Sequence, residues 1–451
     1  MQLSAKELRR FLAFVGPGYL IAVGYMDPGN WATDLAAGSK FGYSLLTVIL
    51  FSNVVACILQ AMAVKLGVVT GMDLARMCRE HIPRYANWAL YVVCELAIIA
   101  TDLAEVIGSA IALELLFGLP LPIGVCITAL DVLLLLIIYR PHGSMRGIRI
   151  FEFLVIVMVT TVGLCFALEL GYVKAPVDEV LRGFIPDAAL FTDSERIYLA
   201  MGIIGATVMP HNLYLHSHIV QARYDTVSAL RRVLNYSILD GVLALSLALF
   251  VNAAILVVGA AAFHNRQPNP SHPDAEGDPA DLFDAHRLLG HYLGAGAALL
   301  YAIALLVAGQ SSTLTATLTG QVVMEGFLGL RVRPWLRRLV TRLCAIAPAL
   351  TVALIGGRSG VTNLLVASQV ALSVQLPFAV VPLVWFTSFK RYMRPVALAT
   401  DTKTGTENIP PCTTSRARAT ESDDTCINVV GTILALLLIG LNIYMLVEIG
   451  G

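Results

Sequence analysis

Apolar runs of the roughly twenty residues that an α-helix needs to cross a hydrocarbon core recur from one end of this chain to the other. Inside lipid there is no water to satisfy a backbone, so such runs are confined to helices whose N–H and C=O groups bond internally. That restricts the chain to an all-α polytopic membrane protein. The charge content agrees: 14% of the 451 residues are charged and 57% are hydrophobic, against about 25% charged in soluble domains.

A twenty-residue window gives eleven spans, near 11–37, 42–67, 88–117, 121–139, 150–171, 197–222, 236–263, 293–325, 335–356, 361–388 and 428–448. Only "GLPLP" separates the third from the fourth. The N-terminus runs into the first span without a small-residue cleavage site, so no signal peptide is expected. The basic residues test the count. With the N-terminus inside, only Lys40, Lys174, Arg182, Arg196, Arg266, Arg287 and Arg358 fall outside, and the other 24 of the 31 Lys and Arg fall inside. Such a bias is the positive-inside pattern. It places the N-terminus in the cytoplasm and the C-terminus outside; the absence of long soluble domains points to a plasma (inner) membrane. The eight cysteines show no CxxC pairing, so neither a disulfide framework nor a structural zinc is expected. Residues 264–287 read as a polar outer loop and 396–427 as a polar cytoplasmic loop.

Two spans carry residues that a membrane helix tolerates badly. In the first, "DPGN" (27–30) interrupts "GYLIAVGYMDPGNWATDLAAG". Pro28 cannot donate a backbone hydrogen bond and its ring clashes with the Gly24 carbonyl, while Gly29 eases an unwound conformation. Asp27 and Asn30 flank this break with oxygen donors. A charged Asp at a helix centre costs about 2.5–3.5 kcal/mol on insertion scales, which points to a bound cation or proton. In the sixth span, "IGATVMPHNLYLHSH" (204–218) breaks at Pro210, leaving the Ala206 carbonyl without its helical partner and pushing Met209 away from helical geometry. The breaks lie five spans apart. An odd offset gives the two halves opposite topology, the inverted-repeat pattern in which interrupted helices mark the substrate site. If Asp27, Asn30, the Ala206 carbonyl and the Met209 sulfur converge, the set joins hard oxygens to one soft thioether. Oxygens alone suit Mg²⁺, Ca²⁺ or Mn²⁺; the thioether favours later, softer transition metals and penalises the hard ions, admitting Mn²⁺, Fe²⁺ and Cd²⁺.

The motifs "GPGYLIAVGYMDPGN", "ATDLAE" (100–105), "GIIGATVMPHNLYLHS" (202–217) and "ASQVALSVQLPFA" (367–379) together resemble the Nramp family of proton-coupled divalent metal transporters. The resemblance covers nearly the whole chain. It implies a LeuT-like fold: a ten-helix core over 1–395, with a first repeat at 1–172 and a second at 196–390, then an eleventh transmembrane helix at 428–451. It implies metal ligands Asp27, Asn30, the Ala206 carbonyl and Met209, joined by Gln369 in an occluded state. Related magnesium and aluminium transporters lack the methionine, so its presence argues for a transition metal. The long 398–427 insert departs from the family pattern.

Proton coupling needs titratable groups at membrane depth. Glu95, Asp102 and Glu105 follow at spacings of seven and three, so they share a helix face, and intramembrane acid chains commonly mark proton relays. The family resemblance implies proton movement through Asp27, His211, Asp102 and Glu105, with Arg338 or Arg337 as the basic partner; His216 also belongs to the family motif. The implied protein is therefore a symporter importing Mn²⁺ or Fe²⁺, also Cd²⁺, with H⁺ by alternating access. It is not an enzyme, holds no permanent cofactor, contacts lipid and no nucleic acid, and works as a monomer. A sodium-coupled amino-acid transporter would share the architecture, but Asp27 would repel a substrate carboxylate. A metal-gated channel is the other alternative.

Overall fold

The computed structural model describes residues 15–128, 145–173, 175–191, 193–223, 230–264, 281–330, 332–393 and 421–450, and all regular structure among them is helical. The first span is not one helix. α1 (Pro17–Ala22) tightens into a 3-10 turn at Val23–Met26, Asp27 turns extended (φ −75°, ψ 166°), and α2 (Pro28–Phe41) begins afresh. Pro28 occupies the first position of α2, where a missing N–H costs nothing. Asp27 caps the new helix, its Oδ1 accepting the Asn30 backbone N–H at 2.8 Å, as N-cap carboxylates do. The buried Trp31 closes the break from the other side, donating its indole N–H to the Met26 carbonyl at 3.1 Å.

α3 (Leu46–Thr70), α4 (Leu74–His81), α5 (Arg84–Phe117), α6 (Met145–Val173) and α7 (Val177–Gly183) follow. α5 stops where the sequence places a stop: Gly118 takes a left-handed conformation (φ 67°), which glycine adopts without the Cβ penalty. The sixth span is also two helices, α8 (Ser194–Val208) and α9 (Pro210–Ile219), joined by Met209 at φ 1°, ψ 110°. The rest are α10 (Leu230–Phe263), α11 (Leu282–Leu293), α12 (Ala295–Leu328), α13 (Pro334–Ile355), α14 (Gly357–Ser388) and α15 (Glu421–Gly450).

Among the described residues seven helices are long and apolar enough to cross a membrane: α3, α5, α12, α14, and the stretches Val233–Phe263, Leu336–Ile355 and Ile427–Glu448. Neither half of a broken span is long enough alone; a crossing there takes both. Of the fourth span only 121–128 falls within the described residues, where it is helical; 129–139 lies outside them, as do most of the outer loop (265–280) and the cytoplasmic loop to residue 420.

Two boundaries differ from the sequence reading. Residues 282–287, expected as loop, begin the separate helix α11, because Asp281 and Asp284 form a reciprocal capping box that satisfies two orphan donors at once. Residues 421–427, assigned to the polar loop, already belong to α15.

The broken spans run through the middle of the bundle. α10 packs along α1, α2, α3 and α6, α8 lies against α14 and α3, and α5 contacts α12, α13 and α14. These long helices enclose the two breaks and hold them face to face.

Candidate functional site

Pro28 and Pro210 strip the carbonyls of Gly24 and Ala206 of helical partners, and a single side chain serves both. The Asn30 Nδ2 donates to Ala206 O at 3.1 Å and to Gly24 O at 3.4 Å, as well as to Asp27 Oδ1 at 2.7 Å. The two breaks therefore meet at one point, where Asp27, Asn30, Ala206 and Met209 are all buried. Asp27 Oδ2 has no hydrogen-bond partner. From α10, Asn252 donates to the Tyr25 carbonyl at 3.0 Å and to Asn30 Oδ1 at 3.4 Å, steadying both the unwound turn and the carboxamide.

The structure joins Asp27, Asn30 and the Ala206 carbonyl directly. Gln369, on α14, is buried with Oε1 unpartnered, and its amide lies against Gly29. The Met209 sulfur accepts from Asn212 Nδ2 at 3.7 Å, and its side chain packs with Ala97 and Leu372. Among the described residues no three His, Cys, Asp or Glu side chains gather at metal-holding distance. A cation site here rests on mixed donors: one carboxylate, carboxamides, a carbonyl and a thioether.

The Gln369 contact is testable. A methyl group at Gly29 would overlap the Gln369 amide, while α2 backbone geometry accepts alanine there. Gly29→Ala should lower the thermal midpoint of the purified protein by several degrees, and Gly29→Ala/Gln369→Ala should recover most of it, since overpacking costs about 1–3 kcal/mol. Equal midpoints for wild type and Gly29→Ala would show that the glutamine is not held there.

A second set of ionisable groups lies between α5 and α13. Arg338 Nη1 is 2.5 Å from Asp102 Oδ1 and its Nη2 is 3.2 Å from Glu105 Oε2. Arg342 Nη1 stands 3.8 and 3.6 Å from the same two carboxylates, and Thr313 donates to Glu105 Oε2 at 2.9 Å. All four charged side chains are at most 1% exposed, so two acids face two guanidiniums. Arg337 does not join them. It donates to both oxygens of Glu95 at 2.7 and 2.8 Å, nearer the N-terminal end of α5 on the same helix face. Of the two arginines left open by the sequence, Arg338 is the partner of Asp102 and Glu105.

His211, buried on α9 with Nδ1 unpartnered, lies within electrostatic reach of Asp102. His216 belongs to a different chain: its Nδ1 is 2.9 Å from Gln60 Oε1, and Gln60 donates to the Tyr25 hydroxyl at 2.8 Å. His218 contacts Asp73 at 3.3 Å. Sequence reasoning missed Asn252, Arg342 and Thr313. A polar residue in an apolar run was the only cue they offered, and many such residues merely bond their own helix.

Two helices broken at membrane depth, their breaks turned toward each other across an enclosed donor set, define the architecture of a secondary transporter. The chain belongs to the Nramp family: the family described as Natural resistance-associated macrophage protein-like matches residues 18–405. It is 53% identical over 388 residues to the divalent metal cation transporter MntH of Nostoc sp., covering 85% of each chain. Among solved structures it resembles the Eremococcus coleocola manganese transporter (34% identity, TM-score 0.75, covering 100% of this chain and 97% of that one). Mhp1, a nucleobase-cation-symport-1 family transporter of the LeuT-like class, shares the fold at 18% identity and TM-score 0.58, over 96% and 93% of the chains.

Proposed function

We propose that this chain is a proton-coupled symporter that carries Mn²⁺ or Fe²⁺, and also Cd²⁺, inward by alternating access. One observation carries the reading. Asp27 is a fully buried carboxylate with a free oxygen, set among carbonyl oxygens released by two helix breaks, and no Lys or Arg pairs with it among the described residues. A buried uncompensated carboxylate is strongly disfavoured, so the site is built to receive positive charge. The Asn30 NH₂ group donates to Asp27 Oδ1 and to the Ala206 carbonyl at that point. Turning the carboxamide over would present Asn30 Oδ1 beside Asp27 and the Ala206 carbonyl, with the Gln369 Oε1 and Met209 sulfur as further donors.

The relatives named above are transporters, of manganese or of divalent metal cations, which favours a transported ion over a resident cofactor. The enclosed site speaks for a carrier rather than an open metal-gated channel, and the Asp27 carboxylate speaks against an amino-acid substrate. In this reading the halves 1–172 and 196–390 move against each other, with Asp27 and Met209 as the points where α1 and α9 swing. Protons released on metal binding leave Asp27 by way of His211 toward Asp102 and Glu105, whose charge Arg338 and Arg342 balance. Glu95 and Arg337 would lie at the cytoplasmic end of that face, and the Tyr25–Gln60–His216 chain links the 3-10 turn of the first span, through α3, to α9. The protein works as a single multi-pass chain in the plasma (inner) membrane, with the N-terminus inside and the C-terminus outside.

Mn²⁺ uptake into proteoliposomes with internal pH followed tests the whole reading: saturable entry accompanied by acidification is expected. Metal entry with no proton movement would leave the site and remove the coupling. Met209→Ala tests the sulfur. It should keep Mn²⁺ transport within about tenfold of wild type, roughly the 1.4 kcal/mol of one modest contact, while Ca²⁺ and Mg²⁺ begin to compete. Unchanged selectivity would remove the thioether from the argument.

A further inference from the structure

The proposed proton route leaves several deeply buried acids unused among the described residues: Asp34 on α2, Asp73, Asp240 and Glu169; of these four, Glu169 is the one with both carboxyl oxygens lacking a hydrogen-bond partner. On α6, Val162, Cys165, Phe166 and Glu169 fall at i, i+3, i+4 and i+7 and are all buried, while Leu164 and Leu168 on the opposite face are exposed. Glu169 thus points into the bundle one turn from the outer end of its helix. It is 3% exposed, and neither of its carboxyl oxygens has a hydrogen-bond partner. No basic side chain pairs with it among the described residues.

Its surroundings tie it to the outward half of the broken first span. One turn inward, Phe166 meets Trp31 of α2 edge-on at 4.7 Å, and Tyr301 of α12 completes the triangle, 5.6 Å from Trp31 and 6.5 Å from Phe166. Glu169 lies within electrostatic reach of Tyr301 and of the Cys165 thiol. The outer helix α11 covers the cluster: His286 lies 6.5 Å from the Tyr301 ring, and Asp281 is also within reach of that tyrosine. α10, which packs on the same stretch of α6, presents the run 250–263, which contains no ionisable residue.

These contacts hold only while α2, α6 and α12 are together. Parting them to admit an ion from outside would wet Glu169; rejoining them dries it again. A carboxylate without partner or cation is disfavoured in a dry bundle by several kcal/mol and escapes by binding a proton. We propose that Glu169 is the residue that takes up an external proton as the outer route closes behind the metal, so that the closed state holds it as the carboxylic acid and the open state as the carboxylate. This rests on the transport reading above but assigns a separate proton, which returns to the outside on reopening. The sign follows: an alkaline exterior keeps Glu169 ionised and opposes closure, and therefore slows uptake.

The test is Mn²⁺ uptake against external pH at fixed internal pH, with internal acidification recorded, for wild type, Glu169→Gln and Glu169→Asp. Burial also pushes the Asp281 carboxyl, outside the membrane, up to about 6, with Asp284 adding to the effect. Asp281→Asn is therefore run beside them and should leave the alkaline limb in place. Wild-type uptake should fall on that limb by up to about tenfold per pH unit for each external proton required, the transported one and that of Glu169. Glu169→Gln should make the limb shallower by the share of one proton while still acidifying the interior, and Glu169→Asp should keep the full slope. A wild-type slope in Glu169→Gln overturns the proposal. So does metal entry without acidification in that variant alone, because the residue would then carry the transported proton. Absence of acidification in wild type sinks the coupling reading instead. If the variants fail to fold, wild-type Cys165 decides. Its alkylation from outside by a small thiol reagent, read by mass spectrometry and divided by the rate for the same cysteine in the unfolded protein at each pH, which removes the thiolate's own pH dependence, should rise from acid to alkaline pH. Equal labelling overturns the idea.

Discussion

Asp27→Ala should lose Mn²⁺ uptake entirely and bind Mn²⁺ on the order of 100-fold more weakly, about 2.8 kcal/mol, measured by calorimetry on purified protein. Among the described residues Asp27 is the carboxylate hydrogen-bonded at the meeting point of the two breaks, so its removal takes away the negative charge that would offset a divalent ion there. It also removes the cap of α2, which costs a further ~1 kcal/mol of stability. Asp27→Asn separates the two effects. Asparagine caps a helix as well as aspartate does, so the variant should keep the wild-type thermal midpoint and still fail to transport. If Asp27→Asn transported Mn²⁺ at wild-type rates, the metal site would have to lie elsewhere.

The other large effect belongs to Arg338. Its guanidinium faces Asp102 and Glu105 where nothing is exposed to solvent. Arg338→Ala leaves two buried acids with Arg342 alone, and breaking such a pair typically costs 3–5 kcal/mol. The variant should be obtained in poor yield with a sharply lowered midpoint. Arg338→Lys, which keeps the charge but not the planar fork, should fold and show reduced acidification per metal. Arg337→Ala is the comparison: its partner Glu95 is 16% exposed, so the stability loss should be much smaller. Equal losses for the two alanine variants would mean that the acid pair does not depend on Arg338.

Much of this site is written locally in the chain. Pro28 and Pro210 alone dictate where two helices must stop and which carbonyls are set free, because a missing N–H and a ring clash act over four residues. Asp27 as N-cap, Gly118 as helix end and the shared face of Glu95, Asp102 and Glu105 are consequences of the same kind. The family motifs add the expected ligand set. By contrast, "GLCFALELGY" gives no sign that Glu169 matters: one acid in an apolar run has no pattern of its own, and its lack of a partner is a property of the neighbours. Arg337 and Arg338 are adjacent in sequence and equal in composition; only the angle at which α13 crosses α5 sends one to Glu95 and the other to Asp102 and Glu105. Arg342, one turn further on, joins for the same reason.

The sequence by itself determined that this chain is an all-helical membrane protein, where its two central helices break and which donor atoms those breaks release. Each of these follows from hydropathy and backbone chemistry within a few residues. The tertiary structure decided that the Asn30 carboxamide spans both breaks at once, that Asn252 holds it there, that the buried acids are balanced by Arg338 and Arg342, and that Glu169 has no basic partner among the described residues. Those facts join residues up to 240 positions apart, from Asp102 to Arg342. Only the packing of one helix on another, which no local rule contains, can bring such residues within a few ångströms.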